Sequence, residues 1–156
     1  MEKLTSYLLP GWLRYPGILF VLIGAVLAYI RFSLGIKPDI LEMQTFAVYS
    51  SYFDSKFFQI IGNNMSEEII GILLVSGLGF LAFARDKSES DITMKLRVRA
   101  LFISIYAEIC FLILSLAFFY GLAFVYMLIL DICFPLIIYI VVFRILLLKH
   151  KLIKDR

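Results

Sequence analysis

Four long runs of apolar residues dominate the sequence and decide what it can fold into. They cover about residues 17–34, 66–84, 98–120 and 122–148. A helix needs roughly 20 mostly apolar residues to cross a bilayer, and each run is near that length or longer. Hydrophobic residues make up 62% of the chain, whereas a soluble domain is only about 45–50% apolar. The sequence therefore predicts an all-α integral membrane protein with four transmembrane helices.

The connection between the first two runs, residues 35–65, predicts a further helix that lies on the membrane surface. Asp39 followed by Glu42 resembles a capping box that would start it. Bulky apolar residues then recur at spacings of three and four: Phe46, Tyr49, Phe53, Phe57 and Ile60. That period is typical of an amphipathic helix. We expect this interfacial helix either to pack as a lid on the bundle or to sense lipid.

The distribution of basic residues predicts the topology. Twelve of the 15 Lys and Arg residues lie in the N-terminal lead, in a predicted charged loop at residues 85–99, and in the C-terminal tail together with Arg144. Basic residues mark the cytoplasmic side, so both termini are expected in the cytoplasm of a plasma or bacterial inner membrane. The four spans leave no room for a separate soluble domain, and residues 1–156 form one predicted domain. We expect the first run to stay as a span and not to be a cleaved signal peptide.

The third and fourth runs carry the most unusual residues. A turn at Tyr120-Gly121 makes them antiparallel neighbours, and each has one acid near its middle, Glu108 and Asp131. Counted from the turn, the acids are offset by roughly 4.5 Å along the helix axis. Pro135 also frees the carbonyl oxygen of Asp131. Two interpretations stay open: a proton or cation site formed by the acids, or a structural pair that hydrogen-bonds across the bundle or to a partner subunit.

Two further groups of residues stand out near the second span. Arg31, Glu67 and Glu68 lie at the outer ends of spans one and two, where we expect an ion pair; an entry for cations is the alternative. Small residues form a stripe along one face of span two: Gly71, Gly79 and Ala82. Small side chains let helices approach closely in membranes, so this face is expected to pack inside the bundle.

The remaining residue types predict no enzyme chemistry. Cys110 and Cys133 both lie inside predicted spans, no CxxC motif occurs, and the only histidine is His150. Metal, redox and cofactor sites therefore lack their usual ligands. We expect no catalysis, no cofactor and no metal. The formal charge of +3 sits beside the spans and gives no support to nucleic-acid binding.

Two functions are compatible with these features. The first is a non-catalytic accessory or signalling subunit of a membrane assembly, surrounded by the lipid bilayer. Its expected partners are further copies of the chain, as a homo-oligomer, or other membrane subunits. The second is a small proton- or cation-coupled transporter or channel that uses Glu108 and Asp131. Whether water reaches the two acids distinguishes the two functions.

Overall fold

The computed structural model describes residues 8–51, 55–86 and 90–154. Four helices in these ranges are long and apolar enough to cross a membrane. They are the helical segment Gly11–Ser33, which contains α1 (Arg14–Ala28), and the helices α2 (Ser66–Phe83), α3 (Asp91–Phe118) and α4 (Leu122–Lys154). A short 3-10 turn, Gly11–Leu13, precedes α1, and a π-helical turn, Tyr29–Ser33, continues it. The number and position of the four helices agree with the four apolar runs.

The predicted interfacial helix is wrong: this segment forms a β-hairpin. Strands β1 (Glu42–Ser51) and β2 (Ser55–Asn64) pair antiparallel, with Glu42 opposite Asn64 and Phe46 opposite Ile60. The segment is rich in aromatic, β-branched and serine residues, which favour strands over helices. Alternation of apolar and polar residues fits a half-exposed strand as well as the three-and-four spacing fits a helix. Phe53, which the helical pattern included, lies outside the described residues.

The start of α3 also differs from the sequence prediction, which placed a charged loop at residues 85–99. The helix begins at Asp91, and the Ser90 hydroxyl caps it by accepting a hydrogen bond from the Thr93 N–H at 3.3 Å. A serine at this position satisfies one of the unpaired N–H groups at a helix start. The basic residues 95–99 are therefore part of the helix. At the start of α2, the Asn64 side chain caps the helix by accepting a hydrogen bond from the Ser66 N–H at 3.1 Å.

Backbone packing divides the chain into two units, residues 1–21 with 75–156, and residues 22–74. The core of the first unit is formed by Ala82, Ala100, Tyr139 and Phe143. The antiparallel hairpin of α3 and α4 turns at Gly121, where φ is 65°, a conformation that glycine adopts without steric cost. Within the second unit, the strands β1 and β2 precede the first part of α2.

The closest contact between α1 and α2 in the first unit depends on two glycines. A Cβ atom added at Gly77 would lie 2.9 Å from the Gly17 carbonyl oxygen and 2.9 Å from the Val21 backbone nitrogen. One added at Gly17 would meet the Phe80 Cβ atom at 2.9 Å. Ahead of α1, the Leu9 N–H donates to the Phe83 carbonyl at 3.0 Å. These contacts bring the start of α1 beside the end of α2.

Candidate functional site

The two intramembrane acids of the sequence analysis meet in the seam between α3 and α4. The carboxyl groups of Glu108 and Asp131 face each other within hydrogen-bonding reach. The buried oxygens of the pair, Glu108 Oε2 and Asp131 Oδ1, have no hydrogen-bond donor among the described residues. Two ionised carboxylates offer only acceptors, so a proton held between them would supply the missing donor.

The surroundings of this acid pair are apolar. One turn along each helix, the rings of Phe111 and Phe134 stack with centroids 4.4 Å apart, in the same seam. Pro135 lies inside α4 without ending it, and because proline has no N–H, the carbonyl of Asp131 loses its usual helical partner. The pair therefore lies in the contact between α3 and α4, and the residues one helical turn further along each helix are two stacked aromatic rings.

Other polar residues of α3 and α4 near the acid pair make local contacts. Ser104 is buried, and its hydroxyl donates to the Leu101 carbonyl of its own helix at 2.8 Å. Cys110 is exposed and Cys133 half-buried, and both are free thiols. Of all these residues, only Glu108 and Asp131 bring ionisable groups together across the hairpin.

A second polar site, which the sequence analysis missed, surrounds Arg97 of α3. Arg97 is only 4% exposed. Its guanidinium donates to the carbonyl oxygens of Ala82 at 3.0 Å and Ala84 at 3.1 Å, and to the Tyr139 hydroxyl at 3.3 Å. The group also lies 4.4 Å from the centre of the Phe143 ring, within the range of a cation–π interaction. Arg97 thus ties the end of α2 to α4.

The same site contains one carboxylate, Asp86, that contacts three arginines. Arg14 donates to Asp86 Oδ1 at 2.7 Å, and Asp86 Oδ2 lies 3.7 Å from Arg97 and 4.0 Å from Arg144. These arginines belong to α1, α3 and α4, and Asp86 follows α2. Asp86 therefore joins all four helices at one end, and we call these four residues the arginine node.

A sequence signal for the node existed but depended on the correct helix start. With α3 beginning after Ser90, its buried residues follow one helical face: Thr93, Met94, Arg97, Ala100 and Ser104. Spacings of three and four mark such a face. A loop assignment for residues 85–99 hid this pattern, because it treated Arg97 as one of several solvated charges.

The outer ion pair occurs in the second unit between two of the three predicted residues. Arg31, in the π-helical turn after α1, lies 2.5 Å from Glu67 through Nη2 and Oε1. Glu68 instead accepts a hydrogen bond from Asn63 at 3.4 Å. Glu67 is 55% exposed, and exposed ion pairs contribute about 1 kcal/mol or less. The arrangement is that of a tie between helix ends.

The small-residue stripe of α2 is only partly packed. Ala82 is buried in the core. A Cβ atom added at Gly71 or Gly79, however, would meet nothing within 4 Å among the described residues. The glycines that do permit close helix approach are Gly17 and Gly77, one on each helix. Of the three residues predicted to pack inside the bundle, only Ala82 does so.

The described residues contain no group of three His, Cys, Asp or Glu side chains placed to hold a metal ion. Comparison of the chain with protein-family models, with curated protein sequences and with solved structures found no match.

Proposed function

We propose that this protein is a non-catalytic integral membrane subunit that assembles with a second copy of itself through its β-hairpin. In this proposal the four helices cross the bilayer and both termini lie in the cytoplasm. The hairpin then lies on the opposite side of the membrane, between the first and second spans. The observation that carries the proposal is an uncovered apolar face on the hairpin.

The uncovered face consists of side chains from both strands. Phe46 and Ile60 are directly opposite each other, so they point to the same side of the sheet. Val48 follows Phe46 by two positions on that side, and the ring of Phe58 lies 6.4 Å from that of Phe46. All four side chains are between 59% and 69% exposed. A contiguous apolar patch outside the spans is typical of an interaction surface.

Two properties of the hairpin favour a second copy as the occupant. A two-stranded hairpin is marginally stable alone, and further strands or a covering layer stabilise it. The four residues of the apolar face are uncharged, and the charged residues on the same side of the sheet, Glu42 and Lys56, have opposite signs and lie at its two ends. Two copies can therefore meet across this patch without burying a charge in its centre. Phe58 also has φ 51°, which costs a non-glycine residue roughly 1–3 kcal/mol. Contacts that hold its ring in this face would offset that cost.

The experiment compares substitutions on the two faces of β1. Phe46→Ser removes the ring from the uncovered face, whereas Met43→Ser changes an apolar residue on the opposite face of the same strand. Molar mass by light scattering in mild detergent is expected to give a dimer for the parent and for Met43→Ser. Phe46→Ser is expected to give monomer. Monomers for the parent, or dimers for all three proteins, would contradict the proposal.

Membrane topology has its own test. With Cys110 and Cys133 replaced by alanine, single cysteines are introduced as Gln44→Cys in β1 and Lys151→Cys near the end of α4. An impermeant thiol reagent added outside intact cells is expected to label position 44 and not position 151. Labelling of both positions from one side would refute the four-span topology.

A second function, proton-coupled transport, is favoured by one specific observation: the carboxyl groups of Glu108 and Asp131 are in contact, and each has one buried oxygen without a donor among the described residues. A pair that holds one proton can in principle pass it on. Glu108→Gln and Asp131→Asn keep the shape and remove the ionisable group. If the protein transports, each amide variant should abolish proton flux in reconstituted vesicles while the dimer persists. Equal flux in parent, variants and empty vesicles would eliminate this function.

A further inference from the structure

The arginine node contains more basic groups than its one carboxylate can pair at short range. Arg97 is nearly completely buried and its donors are directed at two carbonyl oxygens and a hydroxyl. It also helps to fix the position of Asp86, which lies 3.7 Å away. The role of Arg97 in the node is therefore structural.

Arg14 and Arg144 are in a different situation. Their side chains are 29% and 45% exposed, so both reach the surface of the node. Within the described part of the chain, each has a single charged partner, and it is the same one, Asp86. Arg14 lies close to it at 2.7 Å, but Arg144 approaches only to 4.0 Å. A guanidinium carries five N–H donors in a planar fork, so Asp86 engages only part of the donors that the two arginines carry.

The position of the two arginines along the helices indicates which anion they meet. Arg14 is the first residue of α1, and Arg144 lies ten residues before the end of α4. Exposed Trp12 and Tyr15 flank Arg14, and such aromatic residues are typical of the headgroup level of a membrane. Arginine at this depth extends toward the phosphates of the lipids.

We infer that Arg14 and Arg144 form a binding site for the phosphate group of an anionic phospholipid. The planar forks of two arginines match phosphate oxygens and can bind them through paired hydrogen bonds. Asp86 lies within 4.0 Å of both guanidinium groups, and the lipid phosphate would neutralise the positive charge that this one carboxylate leaves uncompensated. This inference rests on the membrane insertion in the proposed function but not on the hairpin contact.

The test uses the full-length protein in detergent and counts bound lipid by native mass spectrometry. Phosphatidylglycerol and phosphatidylcholine with the same acyl chains are titrated separately, and inorganic phosphate is titrated alone. The variants are Arg144→Gln, which removes the charge, and Arg144→Lys, which keeps the charge but removes the fork. Lys151→Gln, an exposed position further along α4, is the matched control for a lost charge.

The parent is expected to retain phosphatidylglycerol in preference to phosphatidylcholine. Arg144→Gln is expected to lose about fivefold in affinity for the anionic lipid, the scale of one basic residue at a charged surface. Arg144→Lys keeps the charge but cannot make paired hydrogen bonds, so it is expected to lose part of that affinity. Lys151→Gln should match the parent. If Arg144→Lys binds the anionic lipid as tightly as the parent, and Lys151→Gln loses as much affinity as Arg144→Gln, the lipid is attracted by basic charge in general. That result would overturn the site.

Two further outcomes separate this inference from the proposed function. If inorganic phosphate raises the thermal midpoint and phosphatidylglycerol is not retained, the anion comes from solution and the lipid assignment is wrong. If the Arg144 variants remain dimeric while lipid preference is absent in the parent, the lipid site fails alone. Extraction of the protein from membranes by alkaline carbonate would instead refute the insertion that both proposals require.

Discussion

The helices α3 and α4 contribute to two polar sites that are built in opposite ways. At the arginine node, the guanidinium of Arg97 meets carbonyl, hydroxyl and carboxylate oxygens, and each donor has an acceptor nearby. At the acid pair, Glu108 and Asp131 meet acceptor to acceptor. The first site brings the donors of Arg97 to acceptors, whereas at the second a proton held between the two carboxyls would supply the donor.

This difference separates a structural role from a conditional one. A buried charge with its hydrogen bonds satisfied makes a rigid contact, and removing it leaves several groups unpaired. A buried pair that depends on one proton keeps its contact only while that proton is present. Loss of the node should therefore lower the free energy of unfolding of the first unit. At the acid pair, the effect of a substitution should depend on whether the new side chain can donate a hydrogen bond.

The largest expected effect is the loss of Arg97. Arg97→Met keeps much of the apolar stem but leaves the carbonyl oxygens of Ala82 and Ala84 without their donor, so we expect a loss of about 3–5 kcal/mol in the free energy of unfolding. Denaturation of the purified protein in mixed micelles measures it. Arg99→Met, which changes an exposed arginine of the same helix, should stay within about 0.5 kcal/mol of the parent. Similar losses of unfolding free energy in both variants would show that the buried Arg97 is no more important for stability than an exposed arginine of the same helix.

Substitutions at the acid pair should have a smaller effect that depends on chemistry. Glu108→Leu leaves the buried carboxyl of Asp131 without a partner and should cost about 1–3 kcal/mol. Glu108→Gln supplies an amide donor to the same carboxyl and should unfold close to the parent. The same denaturation measurement applies. If leucine and glutamine are tolerated equally, the two acids do not support each other and the contrast with the node fails.

A similar contrast between filled and open positions exists for two glycines of α2. Gly77→Ala would place a Cβ atom 2.9 Å from backbone atoms of α1, which cannot move as a side chain can, and overpacking of this kind typically costs about 1–3 kcal/mol. Gly79→Ala meets open space and should be neutral or stabilising by up to about 1 kcal/mol, because alanine favours helix. The difference in thermal midpoint between the two variants checks this. If Gly79→Ala lowers the thermal midpoint more than Gly77→Ala does, the face of α2 that carries Gly79 is packed against another helix, contrary to this account.

The four long helices could be predicted from sequence because hydropathy over about 20 residues is a strong, local signal. The meeting of Glu108 and Asp131 could be predicted for a related reason, since a short turn fixes which residues of two antiparallel helices lie at the same depth. Both inferences required only distances along the chain.

The β-hairpin and the arginine node could not be predicted in the same way. Phe46 and Ile60 fit a helical and an alternating pattern, and only pairing with a second strand decides between them. Arg97 is a charged residue in a charged stretch, a setting typical of a solvated loop. Its burial follows from Tyr139 and Phe143, which are more than 40 residues away in sequence. Gly77 and Gly79 are equally small, and only the position of α1 shows which one is needed.

Photo-crosslinking at Phe46 in intact membranes tests the central claim, that a second copy covers the hairpin, most directly. A photoreactive phenylalanine analogue at this position reports whatever lies against the uncovered face. The account predicts an adduct of twice the mass of the chain that contains only this protein, and no such adduct when Met43 carries the analogue. Adducts to lipid alone, or to a different protein, would contradict it.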